Sequence, residues 1–146
     1  MKKLIFVLAI LSIAVFNSCT KDEIDARDKF VGTWQGTSTA IVSDLDLNQV
    51  SASQFSISKK SNSNNEIEIT TTSEDTTITQ IATVNDNAYT YEQFTYSQNS
   101  NGITANITTN GGGYINGSVI QESGTLVFNM NGQAYNGTWS SIMNKQ

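Results

Sequence analysis

Few side chains in this chain could do chemistry. Histidine is absent, which removes the usual general base and the commonest metal ligand. There is one cysteine, Cys19, and a single thiol can form neither an internal disulfide nor a thiolate metal cage. Serines are plentiful, but a serine nucleophile needs a base to activate it, and lysines are scarce. Glu66 and Glu68 project from the same face of one strand and could work as a carboxylate pair. Their alternation with Ile67 and Ile69 makes that face the solvated one, so surface charge is the better reading. Asp44-Leu45-Asp46 and Asn85-Asp86-Asn87 offer oxygen ligands, yet neither has the length or spacing of a calcium loop, and both read as turns. No catalytic residue, metal site or cofactor is expected, and the chain is read as a non-enzyme.

Cys19 is positioned by the segment before it. Lys2 and Lys3 precede an apolar run from Leu4 to Phe16, followed by Asn17 and the small Ser18. The run is shorter than the ~20 residues of a spanning helix and fits the ~7 to 15 of a signal-peptide core. The segment resembles the lipobox of bacterial lipoproteins, in which the cysteine is acylated and the preceding peptide removed. That resemblance implies a signal peptide over residues 1–18, a lipidated Cys19 and tether over 19–29, and a folded domain over 30–146. The membrane is then a partner through the N-terminal lipid, palmitate being a typical chain. An ordinary secretory signal cleaved elsewhere is the alternative. Thr20, where an aspartate would resemble an inner-membrane retention signal, favours the outer membrane. Lys21-Asp22-Glu23 resembles the surface-export signal of some Gram-negative lipoproteins, although charge serving solubility alone would look the same.

Removing residues 1–18 takes away two lysines and no acid, moving the formal net charge from −5 to −7. Nucleic acid is excluded as a partner, because its binding needs clustered lysine and arginine and only Lys59-Lys60 adjoin in the domain. That pair reads as a solvated strand end. Proline is absent, and aromatic and β-branched residues are well supplied, as all-β proteins require.

From Phe30 onward the apolar pattern has period two, which puts alternate side chains on opposite faces of a sheet. Phe55 and Ile57 alternate with serines, Ile67 and Ile69 with Glu66, Glu68 and Thr70, and Ile103, Ala105 and Ile107 with Thr and Asn. Leu126, Phe128 and Met130 continue the series. Asn131-Gly132 has the two-residue spacing of a type I′ hairpin. Looser polar clusters at 60–65, 73–75, 85–87, 97–102, 110–113 and 121–124 mark further reversals. The stretch from Val42 to Ser53 could hold a helical turn or long loop. Tyr89, Tyr91, Phe94 and Tyr96 change parity after Tyr91, which calls for a bulge or for cover on both faces. The fold class is all-β, an antiparallel meander of about eight to ten strands with no helix long enough for a parallel crossover. Closure as a barrel by pairing first strand with last is expected, and an open roll or sandwich is the alternative.

Phe30-Val31-Gly32-Thr33-Trp34 resembles the Gly-x-Trp opening of the calycins, the superfamily of lipocalins, fatty-acid-binding proteins and avidins. In those families the glycine turns the chain into the first strand and the tryptophan plugs the closed end of the barrel, roles the resemblance gives to Gly32 and Trp34. The arginine that packs over that tryptophan from the last strands has no counterpart, since Arg27 is the sole arginine and precedes the motif. A lipocalin-like barrel implies a small apolar or amphipathic ligand, or a glycan, with Phe55, Tyr89, Tyr91 and Phe128 as candidate cavity lining; strand aromatics are also ordinary core residues. The competing reading is a structural or protein-interaction module of the outer-membrane surface. Asp75-Thr76-Thr77 resembles a short O-glycosylation acceptor. If Cys19 carries the anchor, Cys19→Ser is expected to move the protein from the detergent-rich to the aqueous phase in detergent partitioning and to abolish palmitate labelling.

Overall fold

The computed structural model describes residues 24–72, 77–100 and 103–146. Cys19, Lys21-Asp22-Glu23, the 73–75 reversal and the Asp75-Thr76 part of the glycosylation motif lie outside these, as do residues 101 and 102 of the 97–102 reversal. Eight strands follow in order: β1 Gly32–Val42, β2 Leu47–Lys59, β3 Glu66–Thr72, β4 Thr77–Asn85, β5 Ala88–Ser100, β6 Ile103–Asn116, β7 Val119–Met130 and β8 Gln133–Lys145. Each pairs antiparallel with the next, and β8 returns to β1 to close a barrel. The open roll and the sandwich are thereby excluded.

Period-two patterning becomes inside and outside. Trp34, Phe55, Ile57, Ile67, Ile69, Ala82, Val84, Tyr89, Ile115, Ile120 and Met143 point inward and are buried in one core at the end of the barrel where β1 begins. Phe30 closes this end from below, and Trp34 donates its indole N–H to the Phe30 carbonyl at 2.8 Å. Burying an aliphatic or aromatic side chain is worth about 1.5–3 kcal/mol, and this cluster concentrates that gain at the closed end.

Several turns stand where the sequence puts them. Asn131 (φ 53°) and Gly132 (φ 80°) both take the positive φ of a type I′ hairpin. Residues 60–65 join β2 to β3, and Asp86-Asn87 joins β4 to β5. The Val42–Ser53 stretch contributes a short 3-10 turn, Ser43–Leu45, ended by Asp46 in left-handed geometry. The register of β5 on β6 shifts between Tyr91 and Phe94, so the parity change is a bulge.

Two expected reversals are not turns. Residues 110–113 lie inside β6 and 121–124 inside β7, and they pair with each other, Gly111 with Gly124 and Gly113 with Glu122. The true β6–β7 reversal is at Gly117-Ser118, with Gly117 at φ 61°. The glycines at these mid-strand positions make room for large neighbours. A Cβ on Gly124 would meet the Asn110 carbonyl and stand 2.6 Å from the Trp139 indole nitrogen, and one on Gly111 would stand 2.8 Å from the Trp139 ring. Gly124→Ala is expected to destabilise the protein by about 1–3 kcal/mol, the usual cost of overpacking, read as a lowered urea midpoint at unchanged slope.

Candidate functional site

The N-terminal approach to the barrel packs on its closed end. Arg27 is buried, its guanidinium bonded to Asp25 at 2.6 Å and to the carbonyls of Ser63 and Glu66 in and beside the β2–β3 turn. Lys59 reaches Asp25 at 2.9 Å and Asp28 at 2.6 Å, and Lys60 reaches Glu66 at 3.0 Å. The lysine pair read as a solvated strand end is thus fully engaged. Hydrogen bonds from Arg27 and then Lys59 hold the Asp25 carboxyl well below the usual carboxylate range. Gly32 starts β1 at φ 134°, a conformation that suits glycine.

Over Trp34 lies a cation that the sequence reading missed. Lys145 stands opposite Trp34 in the β1–β8 register. Its Nζ sits 5.3 Å from the indole ring centroid and donates to the Lys29 carbonyl at 3.3 Å. Such a contact is worth about 0.5–1 kcal/mol at an exposed site. Only closure could bring Lys145, next to last in the chain, against the first strand.

Aromatic rings climb the interior from there. Phe30 meets Tyr89 edge-on at 5.3 Å, Tyr89 stacks on Tyr91 at 6.5 Å, and Tyr91 stacks on Trp139 at 6.0 Å. Tyr89 and Tyr91 therefore belong to the packed column and Phe55 to the same buried core, whereas Phe128 lies nearer the opposite end on β7, facing Tyr135 of β8 and Ile107 of β6. Toward this end Leu47, Tyr96, Phe128, Met130 and Tyr135 point inward and are half-buried. Beneath them the interior is filled by the protein's own side chains, with Val42, Ala105, Ile107 and Leu126 buried.

A buried carboxylate sits beside the column. Glu122, 5% exposed, accepts from the Tyr89 hydroxyl at 2.6 Å and the Ser141 hydroxyl at 2.6 Å. Gly113 opposite leaves the space, since a Cβ there would lie 2.7 Å from the Tyr89 ring. Burial pushes the Glu122 carboxyl up from its ordinary value, against the two hydroxyl donors. Burial first, and then the charge of Glu122, raises the Tyr91 phenol. Nothing in the sequence marked Glu122, because the neighbouring serine and glycine suggested a turn. Its inward placement follows from the parity of β7 once Ile120 and Leu126 are seen to be core. Glu66 and Glu68 face outward. Among the described residues no three histidine, cysteine, aspartate or glutamate side chains converge as a metal site would require.

Fold and site together define a small closed antiparallel β barrel, with its core cluster at one end and a group of half-buried apolar side chains toward the other. The sequence profile of the family described as Biogenesis factor required for ATP synthase 1, C-terminal domain, matches residues 22–127, and the chain belongs to that family. No curated protein matches. The crystal structure of a protein of unknown function of the DUF3598 family from Nostoc punctiforme is similar at TM-score 0.49 and 14% identity, over 81% of this chain and 48% of that one. This chain thus spans about half the length of that structure.

The buried carboxyl makes stability depend on pH. With its folded-state value raised above the ordinary 4.5, the fold keeps a proton that the unfolded chain releases, so this group's contribution falls as pH climbs from 4.5 toward the raised value. Chemical denaturation at stepped pH is expected to show that decline, and Glu122→Gln is expected to flatten it.

Proposed function

We propose that this protein is a lipid-anchored, non-enzymatic binding module of the bacterial envelope. In this reading it is a calycin-like barrel, tethered through acylated Cys19 and placed on the outer membrane, that takes a small apolar or amphipathic molecule, or a glycan, at its open end. The observation that carries the reading is the half-buried, inward-facing group Leu47, Tyr96, Phe128, Met130 and Tyr135 above a filled floor. Contiguous apolar surface left uncovered at the mouth of a barrel is where ligands bind. The tyrosines supply hydroxyls beside ring faces, which suits a sugar or a headgroup joined to a chain. Support for the calycin likeness comes from Trp34 at the closed end beneath Lys145, the place those families give to an arginine.

The family description favours a second reading. A biogenesis factor required for ATP synthase works in assembly, and a domain of that family could present the same apolar mouth to a protein partner.

Native mass spectrometry of protein purified from its own host separates the two, a retained small-molecule mass supporting the first and a co-purified polypeptide the second. With octyl glucoside, an alkyl chain joined to a sugar, as a probe below its micelle concentration, Phe128→Asp is expected to weaken binding about tenfold, roughly 1.4 kcal/mol. Equal binding by the variant would remove the mouth as the site.

A further inference from the structure

The barrel wall is not sealed along its whole height. β4 runs Thr77–Asn85 and β5 runs Ala88–Ser100, yet they pair only from Ala82 to Asn85 against Ala88 to Tyr91. Beyond that, among the described residues, Thr77–Ile81 and the part of β5 after Tyr91 have no partner across this seam. The β5 bulge between Tyr91 and Phe94 lies where the two strands part. A groove of about 540 Å³ opens there, lined by Thr79, Gln80, Ile81, Glu92, Gln93 and Phe94 among others.

Backbone directions at the seam follow from bonds at its paired end. Val84 N–H donates to the Asn65 carbonyl at 2.7 Å. Along an antiparallel strand the backbone groups alternate sides, so Val84, Ala82, Gln80 and Ile78 serve β3 while Thr79 and Ile81 turn theirs toward β5. At the start of β5, the Ile115 N–H of β6 donates to the carbonyl of Asn87, the residue just before β5, at 2.8 Å. By the same alternation Asn87, Tyr89 and Tyr91 serve β6, and Glu92 faces the seam. The groove therefore has two strand edges, each offering backbone donors and acceptors. Gln80 adds to this, since its side-chain nitrogen is buried without any hydrogen-bond partner, a rare condition in folded proteins.

We propose that this seam is a strand-addition site for an extended peptide segment of a partner protein, about five residues long, with apolar side chains at alternate positions and a basic residue at its rim. Unpaired β4 residues Thr77–Ile81 set the length, about 17 Å at strand rise. Inward positions of the added strand meet Phe94, Ile78 and Gln80, and outward positions lie over Thr79, Ile81 and Glu92. Charge selects the partner. The chain carries net −5, Glu92 is exposed, and among the described residues it has no ion pair, unlike Glu66 nearby, which holds Lys60. Main-chain bonds would supply affinity and the alternate side chains specificity. The site lies in the wall, apart from the open mouth, and stands or falls independently of ligand binding there.

The test uses the isotope-labelled full chain in detergent micelles, titrated with a heptapeptide of alternating valine and threonine ending in lysine. Amide resonances of Thr79, Ile81 and Glu92 are expected to shift, and their hydrogen exchange to slow by about tenfold or more. The same peptide N-methylated at alternate residues is expected to bind at least about tenfold more weakly, and Glu92→Lys to reverse the preference between a lysine-ended and a glutamate-ended peptide. Equal binding by the N-methylated peptide, shifts confined to Tyr96 and Phe128 at the mouth, or unchanged amides at the seam up to millimolar peptide would each overturn the proposal.

Discussion

The return of β8 to β1 is the contact on which the rest of this structure depends. An open meander would leave two long edges of unpaired backbone groups and a core exposed on one side. With Gly36 opposite Met143 and Trp34 opposite Lys145, both edges are used and the inward face becomes an interior. Trp34 can then be fully buried, and the apolar side chains of eight strands can share one core.

Closure also makes the two ends of the barrel unlike. At the closed end Phe30, Trp34 and the ion pairs around Asp25, Arg27 and Lys59 bind the approach segment to the β2–β3 turn. The guanidinium satisfies backbone carbonyls that a turn would otherwise leave to water, and so joins parts of the chain far apart in sequence. At the other end the inward residues are as apolar but less covered.

Inside, the aromatic column and the Glu122 carboxyl are complementary uses of the same space. Gly111, Gly113 and Gly124 give up side-chain volume on neighbouring strands, and Tyr89, Glu122 and Trp139 fill what they leave. A carboxyl so placed loses hydration, and that loss outweighs the two hydroxyl donors that favour its charged form, which is why its proton is held more tightly. The same large interior rings accompany the β5 bulge, past which β5 parts from β4.

Alternation is a local property, and the sequence by itself determined what depends on it: an all-β antiparallel meander, the inward faces of Phe55, Ile57, Ile67 and Ile69, the Asn131-Gly132 hairpin and the change of parity among the β5 aromatics, which the structure resolves as a bulge. Local polarity misled at 110–113 and 121–124, because a glycine relieving a crowded strand looks like a glycine turning one. Only the tertiary structure decided that these segments face each other, that Glu122 is buried, that Lys145 covers Trp34 and that the β4–β5 wall is open above Ala82. Each of these rests on which strands become neighbours around the barrel, and neighbours in space are fixed by closure and side-chain volume rather than by period along the chain.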